Sequence, residues 1–518
     1  MHTIAAPAPA AVPATASNRA TANTPPRLQD FDVIGGDTAI VEALHAFGAG
    51  DRVAECSELG RALGSAEGLE AGFLANEQPP VHRPYDRGGA RTDEVTFTPA
   101  WDHVMRLAVE HGVAGAVWAD PHPAAQVARA AKFIGVAQVE AGSTCPLAMT
   151  YACVPALRLS DEVAARWEGP VTAGVYDPSA APVGEKAGAL IGMALTEKQG
   201  GSDVRANTTV AEPDGADGWY RVTGEKWFVS AVHSDGMFVL AQAPEGISCL
   251  LVPRRLDDRS ANGWTIDRLK SKLGNRSNPT AEVRFDASRA QMVGEPGRGV
   301  RAIMAMIGGT RQDCVLGSTA VMRTGTIEAI HWARHRGAFG RPLAEQPAMT
   351  AVLADLALES EAATWSALRL ARATQDAIAG DARAMAFRRL AGPVLKFWVC
   401  KRAPMHAGEA QCRPRRRLAL EREVGEDGGH RGLLGERPAE GAAVAGPVDR
   451  LDRPRPHDGG GAEDAVLPGA ADHRHDRPHA AAGLPDHLGE RPVEPHLGRR
   501  IGAVAELVLQ AVDRPVVA

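Results

Sequence analysis

Thr196-Glu197-Lys198-Gln199-Gly200-Gly201-Ser202-Asp203-Val204, entered from the apolar run Ile191 to Leu195, is the stretch of this chain best equipped for ligand chemistry. It reads as a strand ending in a hydroxyl, then a tight double-glycine turn carrying Ser202 and Asp203. Glycine lets a backbone approach a ligand closely and exposes amide N–H groups that can meet phosphate or ring oxygens. A second stretch, Gly224-Glu225-Lys226-Trp227-Phe228-Val229-Ser230, offers an indole ring on a strand, a place where tryptophan most often serves the core. A third runs from Ala333 through Arg336, Phe339 and Gly340 to Leu343, with Gln346 beyond it. An arginine where a helical pattern runs out can be a solvated helix-end cation. Its planar fork also suits a diphosphate, because it bonds two oxygens at once.

The elements that must position these groups change type along the chain. From about Asp37 to Glu185 the pattern is mainly helical. Pro121 and Pro123 mark a turn, and Val127, Ala131, Ile134 and Ala137 then recur at helical intervals. Ser143 to Ala156 reads as a short loop leading into a second buried helix. Between about Gly192 and Pro296 short apolar runs are split by Gly, Pro and Asp clusters, the pattern of an antiparallel β domain: 220–230, 237–242, 247–252, 264–268 and 281–285. Helical periodicity returns from Gly299 to about Ala410. Helix, then β, then helix is an α+β layout.

Bulk properties narrow the class. With 518 residues and a net charge of -6, the chain is long enough for several domains and is not a basic nucleic-acid binder by composition. No apolar run approaches the ~20 residues that span a bilayer, so a soluble protein without membrane association is expected. The first 27 residues, rich in Ala, Pro and Thr, read as a disordered arm and not a secretory signal. Seven cysteines without any Cys-x-x-Cys pair suggest reduced cytoplasmic thiols and no zinc site.

The segment 411–518 differs in kind. It contains no Ser, Thr, Asn, Lys, Met, Phe, Tyr or Trp and leans on Arg, Pro, Gly, Ala, Asp and His. One reading is a disordered tail, since this composition buries too little apolar area to offset chain entropy. Natural tails usually keep Ser, Thr and Lys, so their complete absence favours a reading-frame change in a GC-rich coding sequence.

Ala194-Leu195-Thr196-Glu197-x-x-Gly200-Gly201-Ser202-Asp203-x-x-Ala206 resembles the flavin-binding signature of the acyl-CoA dehydrogenases. The resemblance implies FAD as cofactor, with Met193, Ala194, Leu195, Thr196, Gly201 and Ser202 against its ring. Trp227 matches the family's flavin-side tryptophan, flanked by Phe228 and Val229. Many members have a hydroxyl where Val229 stands, and valine cannot supply that side-chain bond. The segment around Arg336 and Phe339, with Gln346, resembles the family's Arg-x-x-Phe-Gly-x-Pro-Leu stretch, which reaches the diphosphate and adenosine of FAD bound mainly by another subunit. A homotetramer is implied. Tyr85-Asp86-x-Gly88, Arg91-x-Asp93, Phe97-x-Pro99-Ala100-Trp101, Gln138 to Pro146, Lys270 to Asn278, Thr310 to Cys314 and Phe397 to Arg402 resemble the alkylation-response, AidB-like branch. The expected domains are an N-terminal helical domain (28–190), a middle β domain (191–298) and an incomplete C-terminal helical domain (299–410).

The same resemblance implies α,β-dehydrogenation of an acyl-CoA thioester, in which a glutamate removes the α proton while the flavin accepts the β hydride. Most members carry that glutamate in a C-terminal Trp/Tyr-Glu-Gly segment, and none is visible after Ala410. Isovaleryl-type members place it earlier, where this chain has Thr310 beside Arg311. Glu409, Glu421 and Glu426 read as surface charges, so the catalytic base is unknown. The AidB-like branch is also associated with double-stranded DNA. Arg413-Pro414-Arg415-Arg416-Arg417 is a basic run able to hold phosphates, though without a clear helical face. A DNA-associated flavoprotein with little turnover is therefore the alternative function. His473, His475 and His479 have no surrounding shell of ligands, and no metal site is expected.

Overall fold

The structure is a computed structural model that describes residues 23–215 and 218–426, with side chains described through Gln411. The remainder of the 411–518 segment lies outside the described residues. So do the histidines near 475 and the side chains of the basic run and of Glu421 and Glu426. Contacts divide the chain after Leu418, and the unit before that point carries all three stretches singled out by residue type.

The first part of this unit holds α1 (Thr38–Ala46), α2 (Val53–Gly64), α3 (Ala66–Glu77), β1 (Val81–Tyr85), β2 (Arg91–Thr96), α4 (Pro99–Glu110), α5 (Ala125–Val139), α6 (Thr144–Leu157) and α7 (Asp161–Thr172). The β1–β2 hairpin interrupts a stretch expected to be mainly helical. Asp86 closes its turn by accepting from the N–H groups of Gly88 and Ala90, an Asx-type closure. α4 starts where Thr98 accepts from the Trp101 N–H and Pro99 occupies the first turn. The second buried helix expected after the loop at Ser143 is α6, which starts at Thr144, so the loop is shorter than expected; the helix is buried nearly all round. A helix without a polar face shows no amphipathic period, so periodicity does not mark where it begins.

The middle part is a seven-stranded sheet of β3 (Ile191–Ala194), β4 (Val210–Pro213), β5 (Trp219–Ser230), β6 (Gly236–Ala243), β7 (Gly246–Pro253), β8 (Trp264–Leu269) and β9 (Thr280–Met292). The strand order is β3-β5-β4-β6-β7-β9-β8, with additional β3–β6 and β5–β9 pairings. Pairing is mainly antiparallel, but β3 and β4 each run parallel to β6. The last part is α8 (Gly299–His335), the short hairpin β10 (Gly337–Ala338) and β11 (Arg341–Pro342), α9 (Pro347–Ile378) and α10 (Ala382–Glu426). The α10 backbone passes the Ala410 boundary expected from sequence. Its continuation is rich in Arg and Glu, good helix formers, and also carries Pro414.

Two apolar clusters hold the helices around the sheet. One unites α1 to α5 with α8, α9 and α10, and the other joins α6, α7 and the start of α8 to β3, β6 and β7. A sealed ion pair crosses the first cluster. Arg129 of α5 meets Asp313 of α8 through two hydrogen bonds of 2.7 and 2.8 Å, both side chains 1% exposed. The guanidinium also donates to the Val113 carbonyl and lies 3.5 Å from the Tyr151 ring centre. Burial pushes the Asp313 carboxyl up, and Arg129 opposes that shift.

Candidate cofactor site

β3 delivers the Thr196 turn. Ile191 belongs to the cluster with α6 and α8, Met193 and Leu195 pack against it, and Ala194 faces the sheet's own core. That alternation is the period of two that a strand imposes. β3 pairs antiparallel with β5, Met193 opposite Ser230 and Ala194 opposite Val229. The pairing continues into the turn, where the Trp227 N–H donates to the Thr196 carbonyl at 2.8 Å. Two stretches that the sequence singled out separately are thus neighbours.

A register shift in the β5–β9 pairing between Lys226 and Val229 decides which side chains face outward. Lys226 and Val229 both enter the interior, Trp227 is half-buried and Phe228 is 51% exposed. Such a bulge re-aims side chains, which explains why this strand tryptophan is not simply core. Val229 sits wholly in the sheet's core cluster, so its backbone is the part near the turn. A basic rim surrounds the indole. Lys270 Nζ lies 3.7 Å from a Trp227 ring centre, Lys198 Nζ 5.5 Å and the Arg268 guanidinium carbon 5.9 Å.

The glycines have steric reasons. Gly200 adopts φ of 127°, and a Cβ on Gly201 would lie 2.5 Å from Thr196 Oγ1. Gly201 and Ser202 are exposed, leaving the turn's surface open to a ligand. Behind it stands a residue that sequence reasoning missed. Glu197 is 3% exposed and accepts from the N–H and hydroxyl groups of Thr208 and Thr209, from Gln199 and from Lys226. Burial alone would raise its carboxyl, but these donors hold it well below the usual carboxylate range. No sequence spacing connects Glu197 to Lys226; only the β3–β5 register does.

Arg336, Phe339 and Gln346 form a separate group at the far end of α8. Arg336 and Gln346 are buried, Phe339 is 77% exposed, the Gln346 amide donates to the Ala338 carbonyl at 3.0 Å, and the Leu343 N–H donates to the Arg336 carbonyl at 2.8 Å. β3 shares its cluster with Ile303 and Met306 near the start of α8. At 1.5 Å per residue, Arg336 lies about 45 Å along the helix from Met306. One chain therefore does not bring Arg336 to its own Thr196 turn.

The stretches resembling the AidB-like branch are joints between elements. Glu140 accepts from the N–H groups of Gly142 and Ser143 and from the Ser277 hydroxyl, tying the loop before α6 to the loop before β9. Lys272 spans that second loop through the Asn278 carbonyl at 2.5 Å. Arg91 bonds Asp93 and the Ile266 carbonyl, and Phe97 stacks on Trp101 with His233 edge-on to both. A cavity of about 590 Å³ opens elsewhere, between α3, the end of α5, α8 and α10, with Phe73, Val139, Val321 and Trp332 in its wall. No residue of the Thr196 turn lines it.

Of the turn's carboxylates, Glu197 is not free to act as a base, while Asp203 is exposed. Glu197 is saturated by donors, and Asp203 accepts from the Arg205 N–H. Thr310 donates its hydroxyl to the Ile307 carbonyl, and Glu409 lies with Asp355, Glu359 and Arg402 between α9 and α10. The turn itself suits a flavin: a glycine at 201 with no room for a side chain against Thr196, exposed backbone, a half-buried indole and a cationic rim.

Comparison with known proteins identifies the family. Residues 23–178 match the Adaptive response protein AidB N-terminal domain, 192–288 the acyl-CoA dehydrogenase middle domain and 297–412 the acyl-CoA dehydrogenase C-terminal domain. The chain belongs to the acyl-CoA dehydrogenase family, whose members are FAD-binding oxidoreductases, and within it to the AidB-like branch. It is 44% identical to AidB of Escherichia coli (strain K12) over 390 residues, which cover 75% of this chain and 72% of that one. It is 29% identical to acyl-CoA dehydrogenase family member 11 of Caenorhabditis elegans, over 65% of this chain and 56% of the relative. The crystal structure of Caenorhabditis elegans ACDH-11 in complex with C11-CoA matches with a TM-score of 0.70 and 25% identity, over 78% of this chain and 70% of that one. Among the described residues no helix is long and apolar enough to cross a membrane.

Proposed function

We propose that this protein binds FAD at the Thr196 turn and acts on an acyl-CoA thioester as an α,β-dehydrogenase. The observation that carries this reading is the Trp227 N–H bond to the Thr196 carbonyl, which sets the glycine turn and the half-buried indole side by side. When bound, FAD supplies a hydride acceptor. The chain's own part is to present backbone N–H groups from Gly201 and Ser202, to shield one side with Trp227, and to place Lys198, Arg268 and Lys270 where they favour negative charge. The C11-CoA complex of ACDH-11 supports an acyl-CoA as the ligand class. The separation of Arg336, Phe339 and Gln346 from the turn supports a homo-oligomer, a tetramer by family resemblance, in which they serve a neighbour's cofactor. The free thiols among the described residues fit a cytoplasmic location.

Bound-flavin absorbance in the purified protein, bleached by added acyl-CoA under exclusion of oxygen, is the expected result. Apoprotein that takes up no FAD would sink the reading. A second reading has its own support, the AidB N-terminal match together with a turn whose buried carboxylate, Glu197, is engaged. In it the flavoprotein associates with duplex DNA and turns over little. Retention on duplex DNA that falls steeply with salt, without bleaching by any acyl-CoA, would favour that second reading.

A further inference from the structure

Two thiols away from the turn face each other between α8 and α10. Cys400 of α10 donates its S–H to the backbone carbonyl of Cys314 on α8 at 3.5 Å, and accepts from the Ser318 hydroxyl one turn further on at 3.2 Å. Cys314 is exposed and Cys400 is half-buried, whereas Cys56, Cys153 and Cys249 are buried. Reagents in solvent thus reach this pair and not those three. The Cys400 sulfur lies 3.5 Å from the Cys314 backbone, so the two thiols belong to the same contact between α8 and α10. A disulfide spans Cα atoms roughly 4.4 to 6.8 Å apart, and a link between these two cysteines would bring α8 and α10 to that separation.

We propose that Cys314 and Cys400 are a modification site, joined by hydroperoxide-class oxidants into a disulfide that staples α10 to α8. In the first step the Cys400 sulfur attacks one peroxide oxygen. The O–O bond breaks, an alcohol or water leaves with the proton, and Cys400 becomes a sulfenic acid. In the second step the Cys314 sulfur displaces that hydroxyl, the S–S bond forms and water leaves. The two sulfurs lose two electrons between them and the peroxide gains two. The Ser318 hydroxyl, donating to the Cys400 sulfur, favours charge developing there. Cys314 is exposed as a residue, while protein atoms around its sulfur, with Cys400 adding to the effect, push that thiol up to about 11. The Ser318 contact at the Cys400 sulfur leaves Cys314 the resolving role. The staple would act on a helix with a divided surface. Val399 and Ala403 of α10 enter the helical core, while Leu390, Val394 and Phe397 are 73%, 58% and 72% exposed.

The test treats the full chain with hydrogen peroxide, blocks remaining thiols with iodoacetamide and maps tryptic peptides without reduction. The expected product joins peptide 312–323 to peptide 397–401 and disappears on treatment with dithiothreitol. Cys314→Ser should abolish the link and leave a sulfenic acid at Cys400 that dimedone traps, with the circular dichroism spectrum unchanged. Cys400→Ser should leave Cys314 unoxidised at the same dose. Sulfinic acid at either position without the linked peptide would overturn the proposal. So would a link from either cysteine to Cys145 or Cys412, or a wild-type chain whose two thiols stay fully alkylatable.

Discussion

The Lys226 ammonium lies 2.8 Å from the Glu197 carboxylate, with the two side chains 0% and 3% exposed. This contact pins the start of the glycine turn to β5, one residue from Trp227. Lys226 also donates to the Leu240 carbonyl on β6, so one buried cation reaches three strand segments. Burial pulls the ammonium down to about 8, and Glu197 resists that shift. The pair is a scaffold for the turn, and a carboxylate held by so many donors is a poor proton acceptor.

Removing one partner should be far worse than removing none. Lys226→Met leaves a buried carboxylate without its counter-ion, which costs about 3–5 kcal/mol. The urea midpoint should fall accordingly. The acid response has a definite sign. A carboxyl held below its ordinary value contributes stability that is fully present above about pH 4.3 and is lost as pH falls below it. Glu197→Gln should therefore lose less stability than wild type on going from neutral pH to about pH 3. Parallel acid limbs for the two proteins would show that the depressed carboxyl of Glu197 does not drive acid unfolding.

Much of the layout is legible in the sequence, for reasons particular residues make clear. Val127, Ala131, Ile134 and Ala137 betray α5 because that helix keeps a helical apolar rhythm. The strands from Trp219 to Met292 are legible from apolar runs between turn residues. The start of α6 is less so, because that helix is apolar on every side, and the β1–β2 hairpin is hidden among helices by its short polar strands. At the site, the glycines and Trp227 carry their own signal. Glu197 with Lys226, and Arg129 with Asp313, do not, since both pairs arise from strand register and helix packing.

Gly201 offers the sharpest probe of the turn. A valine there would set its Cβ 2.5 Å from Thr196 Oγ1 and force the turn open. Gly201→Val should reduce retained FAD by roughly tenfold or more, equivalent to losing one or two good hydrogen bonds of about 1 kcal/mol each. Trp227→Ala should weaken retention similarly through loss of stacking area. Bound-flavin absorbance per protein, with the unfolding midpoint as control, reads both. Full flavin content in both variants would move the cofactor away from this turn.

The composition of 411–518 and the end of the C-terminal domain match at residue 412 coincide. We propose that a reading-frame change lies near the codon for Ala410. Sequencing the gene should reveal an alternative frame encoding a family-type C-terminus with a Trp/Tyr-Glu-Gly segment. Restoring that frame should raise bleaching by acyl-CoA by orders of magnitude, because it would return a glutamate to the site. A locus with no such alternative frame would remove the idea, and the tail would then be a genuine part of this protein.

The distance between Arg336 and Thr196 makes oligomeric sharing directly testable. If each cofactor is held by the turn of one chain and the arginine of another, damage to either should empty the sites of a pure variant. Arg336→Ala should weaken FAD binding roughly 10- to 100-fold, the range for a charged hydrogen bond of about 1.5–3 kcal/mol. Gly201→Val should do so at the other end. Mixed oligomers of the two variants, formed by co-expression with distinct affinity tags, should regain a fraction of intact sites, each built from an undamaged turn and an undamaged arginine. Flavin absorbance in the doubly purified hybrid measures that fraction. A hybrid as empty as either parent would mean that Arg336 acts on its own chain or not at all. The 37-residue span of α8 makes the first of these physically remote.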